Sequence, residues 1–149
     1  MTMSGLGHFE GKIHVLPIRV YYEDTDLSGM VYHANYLRYM ERARTEFFRL
    51  AGVAKMAELE AAEPTAWAIR EARVRYLRPA RVDDALSVRT RLTSLSGARI
   101  GALQKIYAGE ILLVEGEIEA CIVTLKGAPR RLPEELRGLL TAFLAETDT

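Results

Sequence analysis

Between Asn35 and Ala51 the chain carries its most strongly periodic helix: Leu37, Met40, Ala43, Phe47 and Leu50 recur every three or four residues, and Gly52 stands where a C-terminal stop falls. Beyond that helix the pattern changes from helical to extended. Trp67 to Leu77 reads as a strand, Leu86, Val88, Thr90 and Leu92 alternate with polar neighbours, and Arg99 to Tyr107 and Ile111 to Leu125 form a hairpin joined by Ala-Gly-Glu. In its second arm Val114, Gly116, Ile118, Ala120 and Ile122 alternate with Glu115, Glu117 and Glu119, which gives one dry face and one wet face. Ahead of the helix, Lys12 to Tyr22 is a further strand in which Pro17 marks an edge or a bulge. Pro133, Glu134 and Glu135 open a short terminal helix with Leu136, Leu139, Leu140 and Phe143 as its apolar stripe.

One long helix among five strands, with no alternating βαβ rhythm, predicts an α+β fold in which an antiparallel five-stranded sheet wraps the helix. With 149 residues and no linker or repeat, one domain over 1–149 is expected, residues 1–11 forming a flexible N-terminus. The loop Gly5-Leu6-Gly7 with Gly11 lacks the spacing and the preceding strand of a dinucleotide site. On the helix surface Arg38, Glu41, Arg42, Arg44, Glu46 and Arg49 read as a solvated face, with Arg42 and Glu46 at ion-pair spacing.

Composition narrows the classes of function. Twenty basic and twenty acidic side chains balance, which argues against a nucleic-acid binder, and no apolar run approaches the ~18 residues of a membrane span. The N-terminus lacks a secretory pattern and the single Cys121 excludes an internal disulfide framework, so a cytoplasmic location is expected. His8, His14 and His33 fall in no metal-ligand spacing, so no metal is expected. Cys121, within an apolar strand, reads as a small buried hydrophobe rather than a nucleophile.

The chemistry concentrates in Tyr21 to Tyr39, YYEDTDLSGMVYHANYLRY, where acids, a histidine and tyrosines crowd a loop that feeds directly into the helix. An acid at a helix entrance faces unpaired N–H donors able to stabilise an oxyanion. Read from the residues alone, Asp24 and Asp26 could equally cap a turn, with His33 a helix-start residue.

The longer stretch RVYYEDTDLSGMVYHANYLRYMERARTEFFR, Arg19 to Arg49, resembles the signature of the hotdog-fold thioesterases of the 4-hydroxybenzoyl-CoA type, and among them the Tol-Pal-associated, YbgC-like acyl-CoA thioesterases with their YYEDTD…VYH.NY…ERARTE pattern. The resemblance places Asp26 on the family's catalytic aspartate, Tyr22 and His33 on its companions, and the N–H around His33 on the group that polarises the thioester carbonyl. Leu27-Ser28 departs from the small residues usual after the DTD. The implied activity is hydrolysis of acyl-coenzyme A, without a cofactor because coenzyme A is part of the substrate. Asp26 acts either as nucleophile or as general base.

Coenzyme A is polyanionic, and the local basic clusters are Arg73, Arg75 and Arg78, Arg99 with Lys105, and Arg130-Arg131; Arg99 and Arg130 are the candidate substrate contacts. Rival readings are hydrolysis of acyl-acyl-carrier-protein, with the basic clusters docking that carrier, and a non-catalytic acyl-thioester-binding or envelope-associated scaffold. The histidine and acid pair of a hotdog dehydratase is not found. The resemblance further implies a homodimer, or a homotetramer built from two such dimers, with sites shared between subunits.

Overall fold

The computed structural model describes residues 6–53, 57–58 and 62–144. In chain order the strands are β1 (His8–Glu10), β2 (Ile13–Arg19), β3 (Ala57–Glu58), β4 (Thr65–Tyr76), β5 (Ala85–Leu95), β6 (Arg99–Ala108), β7 (Ile111–Thr124) and β8 (Pro129–Arg130). The helices are α1 (His33–Ala51) and α2 (Glu134–Thr141), and a 3-10 turn covers Tyr22–Asp24. Among the described residues these strands form one antiparallel sheet ordered β1-β2-β5-β6-β7-β4-β3, with β8 added to β7. The five long strands are those the sequence predicts. The three extra ones have two or three residues each, too few to show a period.

Helix α1 packs against β2 and β5 on one face of this sheet. Its buried side chains are Tyr36, Tyr39, Met40, Ala43, Phe47, Phe48 and Ala51. The buried face is therefore centred one step aside from the predicted stripe: Leu37 and Leu50 sit on its flank, 41% and 40% exposed, while the larger tyrosines turn inward. The helix stops at Gly52 as expected, because φ of 104° there is a left-handed cap that a side chain would strain. Where α1 crosses the sheet it comes close enough to Gly116 that an added Cβ would fall 2.8 Å from the Met40 Cε.

Two clusters fill the space beneath α1. One joins Leu16, Val20, Tyr36, Met40, Val88, Ile106 and Val114, and the other joins Phe47, Phe48, Leu92, Ile100, Leu132 and Leu140. At fractions of a kilocalorie to a few kilocalories for each buried side chain, they supply most of the stabilisation. Gln104 is fully buried, with its Nε2 donating to the Met40 carbonyl and to Thr90 Oγ1 at 2.9 Å each. Its Oε1 accepts from Arg44 Nη1 at 2.9 Å, so Arg44 turns inward from the face that the sequence pattern assigns to solvent.

Three further expectations are corrected. Residues 8–10 of the supposedly flexible N-terminus form β1, because Phe9 packs on Phe47 and Phe143 while Leu6 accepts a bond at the His14 ring; residues 1–5 lie outside the described residues. Glu46 pairs with Arg49 at 2.8 Å rather than with Arg42, whose guanidinium lies 6.0 Å from the Tyr39 ring centroid. Cys121, with Glu117 and Glu119 on its side of β7, is half-buried on the outer face rather than part of the core. Among the described residues Pro17 lies beyond the part of β2 that pairs with β1, on the outer edge of the sheet that its ring predicts.

Candidate active site

The chain leaves β2 at Arg19, makes the Tyr22–Asp24 turn and enters a tight loop ahead of α1. Two backbone bonds shape the tip: the Asp26 N–H donates to the Met30 carbonyl at 2.9 Å and the Gly29 N–H donates to the Asp26 carbonyl at 3.1 Å. Gly29 carries φ of 79° with nothing within 4 Å of where a Cβ would stand, so its freedom is conformational rather than steric. A bridge between Thr25 and Val31 closes the base.

Asp26 stands exposed at the head of this loop. Its Oδ1 accepts from the Ser28 N–H at 2.8 Å and from the Ser28 hydroxyl. That hydroxyl first, and then the Ser28 N–H, hold the carboxyl below the usual aspartate range. The residue that departs from the family pattern thus helps keep Asp26 ionised.

The loop forms one wall of a cleft of about 390 Å³ whose lining includes Asp26, Met30, His33, Tyr36, Tyr76 and Arg78. His33 is the first residue of α1, Tyr32 gives the helix no side-chain cap, and the first N–H groups of a helix have no partner within it. Those donors, with the positive end of the helix dipole, share the cleft with the ionised Asp26. The His33 ring packs 4.5 Å from Tyr32 and 6.2 Å edge-on from Tyr76, centroid to centroid. Tyr36 Oη accepts from the Ala80 N–H at 2.9 Å, fixing the β4–β5 connection against α1; burial raises its phenol pKa.

Of the residues singled out by sequence, the structure brings Asp26 and His33 into one cleft and leaves the others outside it. Tyr22 does not line the cleft: its 3-10 turn aims the ring at solvent, 83% exposed. Arg99 and Arg130 lie at the far end of the sheet, in register with Cys121 and Ile122, whereas the cleft residue Tyr76 pairs with Val114. About eight residues of strand separate the two ends, roughly 25 Å. There Arg99 pairs with Glu119 at 3.3 Å and Arg130 pairs with Glu63. Arg73 and Arg75 face Glu117 and Glu115 on the outer face of the sheet. Arg78 is the one member of the basic clusters that reaches the cleft. Tyr36 and Tyr76, which sequence reasoning does not select, complete it; their only signal is an aromatic at a helix start and another at a strand end.

A second cavity, of about 150 Å³, lies under the other half of α1 among Phe48, Trp67, Ile69, Ile100, Ala102 and Ala120, with Arg44 and Glu41 at its polar side. It opens at β4, where Ile69 is 48% exposed.

A family described as the thioesterase-like superfamily matches residues 20–140. Over 122 residues the chain is 43% identical to the acyl-CoA thioester hydrolase YbgC of Escherichia coli O6:H1, covering 80% of this chain and 90% of that one. It is 36% identical over 123 residues to the acyl-CoA thioesterase YbgC of Haemophilus influenzae, covering 82% and 90%. The crystal structure of a probable thioesterase from Bartonella henselae superposes with a TM-score of 0.77 at 40% identity, covering 82% of this chain and 98% of that one.

Proposed function

The chain belongs to the thioesterase-like superfamily, in its YbgC branch with a hotdog fold, and from that premise we propose that it hydrolyses acyl-coenzyme A through Asp26 in the cleft at the start of α1. The observation that carries this reading is the meeting, in one cleft, of an ionised, exposed carboxylate with a helix N-terminus that has no side-chain cap. Thioester hydrolysis requires just those parts: an oxygen nucleophile or an activated water, and donors where negative charge develops on the carbonyl oxygen.

The thioester carbonyl oxygen lies against the first N–H groups of α1, and Asp26 Oδ2 faces the carbonyl carbon. Asp26 either attacks that carbon to form an anhydride, later opened by water, or takes the proton of a water that attacks directly. In both cases the carbon–sulfur bond breaks and the electron pair leaves on sulfur as coenzyme A thiolate, whose conjugate thiol pKa of about 8.5 makes a strong general acid unnecessary. His33 contributes its backbone N–H and places its ring at the cleft wall. Arg78, charged and at the cleft rim, takes the part of phosphate contact that Arg99 and Arg130 are too distant to play within one chain. Tyr22 is given no part at the carbonyl.

A second copy completes the site. Strand β3 covers β4 only at Thr65 and Ala66, so the rest of the β4 edge has no strand partner among the described residues, and Tyr76 on it is 47% exposed. Pairing of two β4 edges about a two-fold axis buries this edge and brings the cavity beside Trp67 and Ile69 of one copy towards the Tyr76 end of the other. The acyl group then enters the partner's apolar cavity while its thioester stays at Asp26. A homodimer is the smallest such unit, and a homotetramer of two dimers extends it.

Free-thiol release from a panel of acyl-CoA esters, with the same acyl groups on acyl carrier protein alongside, tests the reading. Turnover of the coenzyme A esters is expected. Turnover of the carrier-bound esters alone, or of neither, contradicts it.

A further inference from the structure

The bonds within the catalytic loop give it a shape but do not place it against α1. The Asp24 N–H donates to Tyr21, the Thr25 N–H and hydroxyl donate to Tyr22, the Asp26 and Gly29 N–H groups donate within the tip, and the Gly29 carbonyl accepts from the Val82 N–H at 3.2 Å in the β4–β5 connection. The stretch just before Asp26 is joined to the helix through the Asp24 carbonyl. It receives the Tyr32 N–H at 2.9 Å and the Asn35 Nδ2 at 2.8 Å. Asn35 makes this crossing with its side chain, reaching back eleven positions from the first turn of α1.

Helix formation does not account for an asparagine there. Asn is a poor residue inside a helix, and the Asn35 N–H is already bonded to the Tyr32 carbonyl at 2.8 Å without its side chain. Nor does the side chain reach back to its own N-cap, as a capping box would. Its amide is committed to a carbonyl two residues from the reacting carboxylate. The Asp24 side chain reinforces the same point, with Oδ2 accepting the Tyr21 N–H at 2.9 Å and the buried Tyr39 phenol lying next to it.

We propose that Asn35 is a positioning residue for thioester hydrolysis: through the Asp24 carbonyl it sets the distance between the Asp26 carboxylate and the N–H donors of α1. The inference rests on the reading of Asp26 given above. Both groups act on the same carbonyl, so a loop released from α1 still binds substrate but presents the carboxylate and the oxyanion donors out of step, and a displacement of order 1 Å costs about 100-fold in rate.

The test is steady-state thiol release by the full chain carrying Asn35→Ala or Asn35→Asp, with Asp26→Asn and the double variant Asp26→Asn/Asn35→Ala in the same series. Asn35→Asp keeps the side-chain shape but loses the donor, so it serves as the test should Asn35→Ala fail to fold. The expected result is a fall in kcat of about tenfold or more in both single variants, with KM changed by less than about threefold and melting temperature maintained. In the Asp26→Asn background the Asn35→Ala change should add less than about threefold, because the group being positioned is already gone. Wild-type kcat in Asn35→Asp, or a rise in KM alone, overturns the proposal. Asp26→Asn separates the two levels: if it is silent while the Asn35 variants are normal, only the positioning role falls, and if it remains active the reading of Asp26 falls with it.

Discussion

Ser28 presents both its hydroxyl and its backbone N–H to a single oxygen of Asp26, so the carboxylate is held charged by the residue two positions after it. Because these bonds favour the ionised form, the acid limb of kcat/KM should lie below the usual aspartate range. Ser28→Ala removes the largest of these contributions, and the limb should move towards neutral pH with the plateau little changed. An unmoved limb in a pH–rate profile would mean that another group sets it.

His33 should matter less than Asp26. The backbone N–H at position 33 survives His33→Ala, so the loss in kcat should stay below the roughly 100-fold that removal of one oxyanion donor costs. The ring packs beside Tyr32 and Tyr76, and its removal should appear partly in KM. A variant as inactive as Asp26→Asn, with its circular dichroism spectrum intact, would assign the ring a proton-transfer role.

Assembly should track activity. Ile69→Lys sets a charge at an exposed position of the β4 edge, where a second copy is proposed to pair, and should shift the protein towards monomer. Specific activity should fall with the dimer fraction measured by light scattering. A fully active monomer would leave the loop chemistry standing and remove the shared site.

His14 should make the fold sensitive to acid. It is fully buried between Phe9 and Phe47, its Nε2 bonds the Leu6 carbonyl at 2.9 Å, and its Nδ1 is buried without a partner among the described residues. Burial lowers its pKa, so the folded state resists the proton that the unfolded chain accepts. The contribution to stability is complete above the ordinary histidine value of about 6.5 and is lost as pH falls from there through the depressed folded value. The carboxyl of Glu10, also lowered by its hydrogen bonds from His8 and Arg89, acts only further down, below about 4.3. Denaturant titrations between about pH 7.5 and 5, a window that brackets the ordinary histidine value, should show this loss in the native protein and a smaller one in His14→Leu. An equal loss in both would place its source elsewhere.

The features legible in the sequence and those hidden from it divide along a physical line. The long strands, α1 and the Asp26 loop are legible because each is encoded locally, by period or by a run of residue types within a single stretch of chain. Arg44 escapes the helical pattern because a buried amide at Gln104, far along the chain, offers it a better partner than solvent. Spacing alone assigns Glu46 to Arg42, but Arg49 at i+3 reaches it. Arg99 and Arg130 stand out by their charge, and only the strand register shows that they stand at the end of the sheet away from their own chain's cleft. Tyr36, Tyr76 and Arg78 meet in the cleft through pairings of β4 with β7 and α1 with the β4–β5 connection, which no local pattern reports.

The most direct measurement is thiol release by Asp26→Asn, with the melting temperature taken on the same sample. The amide oxygen can still accept from Ser28 and the site is exposed, so the fold and its melting temperature should be unchanged. The amide is neither nucleophilic nor basic, so kcat should fall by at least about 100-fold. Turnover near that of the native chain, in a variant that melts where the native chain melts, would contradict the assignment of Asp26 as the reacting carboxylate.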